Sequence, residues 1–353
     1  MQQTQELSYR RFVAYAALAV GVVLVPVLIW QLGWILILGF AAILIAILLH
    51  VVSEPLQRWT PLPVWADLLV AGLIVVALVV LGGWIFGSQL SGEFTEVVDR
   101  VRAGAHQLQD LLHKSQAGQF LLSRLNGTSV SVTGLFGQVV TTFVTAIEAL
   151  VVIVMSAAYL AAEPALYRAG VVRLFGPTHE EWANDTIVAV AEGLRYWLLG
   201  QFIEMALIGA LTTLAVWLIG LPSPLALGVI ATLTEFVPYL GPILAAIPAL
   251  LVAVTGGLDQ VIWTLLAYVL IHQVEGNLIM PQIQKRMVYI PPALMLLGIA
   301  GVGALAGILG FVFAAPMMVA IFVIVQKAYV RDTLKEDITL PGEKRYDEAD
   351  HIP

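Results

Sequence analysis

The sequence contains no cysteine and few charged side chains, and each absence excludes a class of protein. Without cysteine there are neither disulfides nor thiolate metal ligands. Charged residues make up 12% of the 353 residues and hydrophobic residues 60%, whereas about 25% of the residues in a soluble globular domain are charged. The missing polar surface and the unbroken apolar runs predict an all-α polytopic membrane protein that is embedded in the lipid bilayer.

Enzyme signatures are missing as well. The chain has no P-loop, no HExxH and no GxSxG pattern. Its net charge of −7 offers no basic surface for nucleic acid. We therefore expect no enzyme activity, no cofactor, no metal site and no nucleic-acid partner. Because an ATP-binding domain is absent from the sequence, any active transport would be secondary or powered by another protein.

About eight hydrophobic segments have lengths close to the 20 or so residues that cross a bilayer. Polar inserts and a tail divide them into regions. The predicted regions are three N-terminal spans (1–87), an extramembrane amphipathic helical insert (88–135), a fourth span (136–162), a cytoplasmic helical insert (163–196), a C-terminal transport core (197–327) and a polar cytoplasmic tail (328–353).

Two apolar segments fit neither one span nor two. Residues 222–255 form a stretch of 34 residues with five prolines, and residues 293–327 form a stretch of 35 residues with several glycines and Pro316. We predict that each enters the membrane and returns, which gives six full spans plus two opposed re-entrant hairpins. Two full spans are the alternative, in which the glycines serve close helix packing.

The distribution of basic residues supports the hairpin interpretation. Lysines and arginines that flank the first five predicted spans fall on one side, which the positive-inside rule makes cytoplasmic together with both termini. Lys285 and Arg286 join them only if 222–255 returns to the side from which it enters. The predicted location is therefore the inner (plasma) membrane, with several spans and both termini in the cytoplasm.

The stretch 235-EFVPYLGP-242 is the candidate tip of the first hairpin. Proline removes an amide donor and glycine permits turn geometry, so both favour a break in the helix. Non-helical backbone at membrane depth is tolerated only where it is buried in protein or lines a watery cavity. A loop at the membrane surface with a solvated glutamate is the alternative. The residues predicted to face a pathway here are Glu235, Pro238, Tyr239, Gly241 and Pro242.

The stretch 272-HQVEGN-277 places further polar groups at the end of a span, with Gln273, Glu275 and Asn277 as candidate pathway residues. Two acids close together can bind a proton or a cation, so a pairing of Glu275 with Glu235 would indicate a coupling site. An interfacial, solvated position is the alternative. Glu148 and Glu204 lie deeper in spans that hold no lysine or arginine, and are either coupling acids or interhelical hydrogen-bond partners.

The insert after residue 88 carries apolar side chains at spacings of three, four and seven residues, which is typical of an amphipathic helix. Its apolar face is predicted to lie on the membrane surface or on a neighbouring subunit. The residues assigned to oligomerisation are Phe94, Val97, Val101 and Leu108.

Three segments together resemble the autoinducer-2 exporter (AI-2E) family of bacterial permeases: residues 235–253, 274–283 and 291–320. Glu235, Pro238, Tyr239, Gly241, Pro242 and Pro248 match one family motif; Gln273, Glu275, Asn277, Pro281 and Pro316 match another. The resemblance is strongest over the last 150 residues or so. It implies a multipass inner-membrane protein and a homo-oligomer, for which a pentamer is one stoichiometry.

Three functions follow as hypotheses. The first is a secondary transporter that exports a small polar solute, such as the quorum-sensing signal that gives the family its name. The second is an antiporter that exchanges Na⁺ or Li⁺ for H⁺ at intramembrane acids. The third is a non-transporting oligomeric scaffold or regulator assembled through the amphipathic insert.

Overall fold

A computed structural model describes residues 31–57, 64–114, 150–284, 290–338 and 340. Its described residues form helices and contain no strand, which confirms the all-α class. The helices are α1 (Gln31–Gln57), α2 (Val64–Lys114), α3 (Leu150–Ala162), α4 (Pro164–Arg173), α5 (Glu180–Ile219), α6 (Pro224–Thr234), α7 (Gly241–Val254), α8 (Leu258–Val274), α9 (Met280–Gln284) and α10 (Pro292–Val325); π-helical turns cover Glu275–Ile279 and Gln326–Arg331.

Several predictions fall on residues outside the described ranges. They include the first span, most of the fourth span with Glu148, the pair Lys285 and Arg286, and the end of the tail. Among the described residues, four helical segments are long and apolar enough to cross a membrane: Gln31–Gln57, Glu180–Ile219, Leu258–Gln282 and Pro292–Arg331.

The predicted third span and the described part of the amphipathic insert, residues 88–114, form one continuous helix, α2. No proline interrupts its 51 residues, and at about 1.5 Å per residue it is far longer than the roughly 30 Å hydrocarbon core. The whole helix therefore exceeds one straight crossing, and its second half begins near Gln89. This half packs on α6 and α7, which places the predicted insert against the first predicted hairpin.

Helices α6 and α7 form that hairpin. They have 11 and 14 residues, so at about 1.5 Å per residue neither crosses a bilayer alone. The break between them includes Tyr239 with a φ of 66°. A Cβ on Gly241 would lie 2.6 Å from the Thr234 carbonyl oxygen, so only glycine lets the first turn of α7 pass this close to the last turn of α6.

The segment of α10 is also folded back on itself. Ala306 and Gly307 have non-helical angles, with φ of −132° and 62°. A Cβ on Gly298 would touch the Met318 side chain, and one on Gly303 would touch Phe311. Residues 20 positions apart in a straight helix are separated by about 30 Å. These contacts therefore make α10 an antiparallel helical hairpin with its turn near Gly307, although its length alone would allow a span.

The two hairpins pack along opposite halves of α5, the central helix. α6 runs antiparallel to the second half, where Gly209 faces Thr232 and Gly228 faces Thr213. The α10 hairpin shares an apolar cluster with Leu194 and Leu198 of the first half. Its base lies at the start of α5, where the Lys327 ammonium is 3.8 Å from the Asp185 carboxylate. The hairpins thus approach the middle of α5 from opposite ends, as two opposed hairpins require.

The amphipathic half of α2 holds the base of the α6–α7 hairpin. Val97 and Val101 are 4% and 2% exposed and pack in the apolar cluster of α6 and α7, with Phe94 beside them. Within this conformation those two valines contact the same chain rather than a second copy. Leu108 is 40% exposed and Leu111 is 54% exposed. If the protein forms an oligomer through this helix, the contacts must therefore come from the end of α2.

Polar contacts fix the same junction. The Ser223 hydroxyl donates to Glu96 at 2.9 Å, and the Ala226 amide donates to Glu93 at 2.9 Å. Arg100 binds Glu96 and donates to the Thr255 hydroxyl oxygen at 3.3 Å. Beside the start of α6, Glu93 therefore satisfies a free backbone amide and Glu96 accepts from a hydroxyl. The negative charges of both acids favour the positive end of the helix dipole.

Candidate functional site

Acids from three separate elements meet beside the middle of α5. Glu204 lies on α5, Glu235 begins the break after α6, and Glu275 begins the π-helical turn after α8. The three interact electrostatically with one another. His272 joins them, since its Nδ1 is 2.6 Å from Glu275 Oε2. We call Glu204, Glu235, His272 and Glu275 the acid cluster.

The local sequence explains how Glu275 reaches the cluster. Pro281 has no amide hydrogen, and its ring clashes with the carbonyl four residues earlier, that of Asn277. The helix responds by widening into the π-helical turn Glu275–Ile279, a distortion that often marks functional sites. The one-turn spacing of His272 and Glu275 then places both side chains on one face.

The tip of the hairpin is fastened to α5 by contacts on both sides of Glu235. Gln201 Nε2 donates to the Glu235 carbonyl oxygen at 2.9 Å and lies 3.4 Å from Glu204 Oε2. Phe236 packs edge-on against Trp197, with ring centroids 5.7 Å apart. The position of the Glu235 carboxylate is therefore set by backbone and ring contacts, while the carboxylate itself is left to other partners.

Two carboxylate oxygens in the cluster have no hydrogen-bond partner. Glu204 and Glu235 are 4% and 2% exposed, and Glu204 Oε1 and Glu235 Oε2 are buried without a donor. Within the described part of the chain, no lysine or arginine forms an ion pair with Glu204, Glu235 or Glu275. A buried carboxylate without a partner is costly, so the cluster has the chemistry to take up a cation or a proton.

Three buried polar residues on α5 and α8 were not among the predicted site residues. Gln201 is one. Thr264 and Tyr268 are the others, and their hydroxyl groups are buried without a partner. They precede His272 at steps of four residues, so Thr264, Tyr268 and His272 form one polar stripe along α8. That periodicity was a signal available in the sequence.

Other predicted pathway residues lie outside the cluster. Gln273 and Asn277 are exposed, and Asn277 Nδ2 donates to Gln273 Oε1 at 3.3 Å. Tyr239 is largely exposed as well. Pro238, Gly241 and Pro242 build the break that positions Glu235, and their role is conformational.

Helices of spanning length, two broken hairpins and a buried acid cluster beside one break define a polytopic membrane transport protein. A model of the AI-2E family transporters matches residues 13–331. The chain belongs to this family.

Curated relatives agree with this assignment. The chain is 34% identical to YrrI of Bacillus subtilis (strain 168) over 127 residues, which is 36% of each protein. It is 28% identical to YueF of the same organism over 154 residues, or 44% of this chain and 38% of YueF. A Thermotoga maritima protein is 26% identical over 227 residues, or 64% of this chain and 68% of that protein. Their names assign them to transport without naming a substrate, and the match spans little more than a third of the two Bacillus proteins.

Proposed function

We propose that the protein is a secondary transporter of the inner membrane in which cation binding at the acid cluster is coupled to movement of the α6–α7 hairpin. The observation that carries this proposal is the pair of buried, unpartnered oxygens on Glu204 and Glu235. Those atoms lie on two different elements, one central helix and one hairpin tip. A cation that binds both would hold the tip on α5, and its release would leave like charges that repel each other.

Coupling requires that the ion prefers one of two conformations. The break at 235–240 provides a place where the chain can bend, since Tyr239 occupies a left-handed conformation that a β-carbon disfavours. Exchange of Na⁺ or Li⁺ for H⁺ is one form of this activity, because carboxylates bind each of these ions. No chemical transformation of a substrate is part of the proposal.

Export of a small polar solute, such as a quorum-sensing signal, is the second candidate. The polar stripe of α8 favours it, because the buried hydroxyls of Thr264 and Tyr268 are free to bind a polar molecule. In that case the cation supplies the driving force and the solute is the cargo.

The test is flux through purified protein in liposomes under imposed gradients of H⁺, Na⁺, Li⁺ or Mn²⁺. We expect flux driven by at least one cation gradient, and a loss of about 100-fold or more in Glu275→Gln, a change of about 2.7 kcal/mol. Glu163→Gln, at an exposed position before α4, is the matched control and should keep wild-type flux. Flux that is indifferent to Glu275 would reject the acid cluster as the coupling site. Absence of flux under every gradient would reject transport and favour the oligomeric scaffold.

We further propose that the loop between α4 and α5 faces the cytoplasm and the end of α2 faces the opposite side. Because the chain has no cysteine, single cysteines report sidedness directly. We expect His179→Cys to react with a membrane-impermeant maleimide only after cells are permeabilised, whereas His106→Cys, exposed near the end of α2, reacts in intact cells. Labelling of both positions in intact cells would contradict this topology. The exposed Leu108 and Leu111 are also the proposed contacts of a homo-oligomer.

A further inference from the structure

We propose that the acid cluster binds a divalent transition-metal ion through Glu235, His272 and Glu275, with Glu204 as a fourth ligand. One potential ligand atom from each of the first three residues lies within 4.8 Å of the other two. The proposal names the class of ion that the transporter would carry, and this part of it rests on the proposed function.

The unpartnered oxygens distinguish a metal site from a cluster that is held together by hydrogen bonds alone. The hydrogen bond between His272 Nδ1 and Glu275 Oε2 uses one atom of each of those side chains. It leaves Glu204 Oε1 and Glu235 Oε2 buried with no donor, on residues that are 4% and 2% exposed. A metal ion between the three elements would accept electrons from both orphaned oxygens, which a proton shared by one pair would not.

The donor set selects the class of ion. Magnesium and calcium prefer ligands that are all oxygen, and calcium takes six to eight of them. An imidazole nitrogen favours zinc, iron, nickel or copper, and carboxylates are compatible with zinc and manganese. Without cysteine the chain offers no sulfur ligand for a soft ion. Three carboxylates without a lysine or arginine paired to them among the described residues also favour a double positive charge over a single one, because the attraction doubles with the charge.

The geometry requires a small rearrangement. Metal–ligand distances of about 2.0–2.2 Å place the donor atoms roughly 3–4 Å apart. The largest separation among Glu235, His272 and Glu275, up to 4.8 Å, must therefore shrink by about 1 Å. Glu204 must move toward these three residues, and the His272–Glu275 hydrogen bond must open to admit the ion. No motif indicates the site in the sequence, since its ligands come from α5, the hairpin tip and α8.

The test is titration of Co²⁺ into the purified full-length chain, prepared with an affinity tag that contains no histidine. We expect one Co²⁺ per chain, with the stronger visible absorption of a four- or five-coordinate ion, displaced by equimolar Zn²⁺ but not by excess Na⁺ or Mg²⁺. His272→Gln and Glu235→Gln should each weaken binding by about 100-fold or more, since even outer partners of metal ligands cost about 10–100-fold. His179→Gln, exposed before α5, should bind as the wild type does.

A wild-type spectrum that stays that of the hydrated ion would overturn the proposal, and so would equal binding by His272→Gln and the wild type. The displacement arm needs no variant, so it decides the matter even if a substitution impairs folding. The two proposals fail separately. Absent Co²⁺ binding with flux that still requires Glu275 rejects the metal alone, whereas tight binding with flux indifferent to the cluster rejects the transport role.

Discussion

Glu235→Gln is expected to lower cation-driven flux by about 100-fold or more, about 2.7 kcal/mol, while the fold becomes no less stable. Flux falls because the substitution removes a charge from the only cluster that reaches the hairpin tip among the described residues. Stability does not fall because Glu235 Oε2 is buried without a partner. Removing an unpaired buried charge saves its desolvation cost, on the order of 1–3 kcal/mol, and glutamine has almost the same shape.

The prediction is specific because flux is expected to fall while the stability of the fold does not. Flux is measured in liposomes, and stability by thermal unfolding of the detergent-solubilised protein followed by circular dichroism. Glu163→Gln serves as the control for the loss of one negative charge at an exposed position. If Glu235→Gln unfolds at a lower temperature and loses flux only in proportion to unfolding, Glu235 has a structural role and the coupling role is wrong.

Gly104→Ala is expected to destabilise the protein severely. A Cβ at this position of α2 would lie 2.0 Å from the carbonyl oxygen of Leu251 in α7. That neighbour is backbone, which cannot rotate away, so the two helices must separate. Overpacking of this kind costs about 1–3 kcal/mol or more, and the separation would also strain the contacts of Val101 and Arg100 with the hairpin. We expect a clearly lower unfolding temperature and lower yield in the membrane.

Gly92→Ala is the matched control on the same helix. Nothing lies within 4 Å of a Cβ built at Gly92, and alanine is favoured over glycine in a helix by about 0.8–1.0 kcal/mol. The control should therefore be as stable as the wild type or more so. Similar unfolding temperatures for both variants would show that α2 does not pack on α7 as described.

The breaks in the chain were predictable because the residues that cause them act locally. Proline removes a donor and glycine admits a left-handed conformation wherever they occur, so Pro238 and Gly241 indicated the first hairpin. The glycines near 307 fitted either close helix packing or a turn, and the distribution of basic residues favoured the second hairpin. Segment length added the second constraint. The structure confirms the all-α class and shows the two folded segments. The sequence offered the pairing of Glu275 with Glu235 only as a condition, because these residues are distant in sequence and meet only in the fold.

The rest depended on packing between residues far apart in sequence. The apolar spacing of Val97 and Val101 correctly predicted an amphipathic helix, but periodicity does not say which surface will cover it. Here the cover is the hairpin of the same chain. Gln273 matches the family motif and yet is exposed. Gln201 belongs to no motif and yet contacts the Glu235 carbonyl oxygen. Side chains one position apart point in different directions on a helix, and only the packed structure shows which direction meets the cluster.

The junction between α2 and the α6–α7 hairpin has a consequence for biosynthesis. The chain emerges from its N-terminus, so Glu93 and Glu96 are made well over a hundred residues before the amide and hydroxyl that they bind in α6. Helix α5 likewise precedes both hairpins that pack along it. Each hairpin therefore reaches the bilayer after the helices on which it packs have been made. This order shortens the time during which the non-helical backbone of the hairpin faces lipid without hydrogen-bond partners.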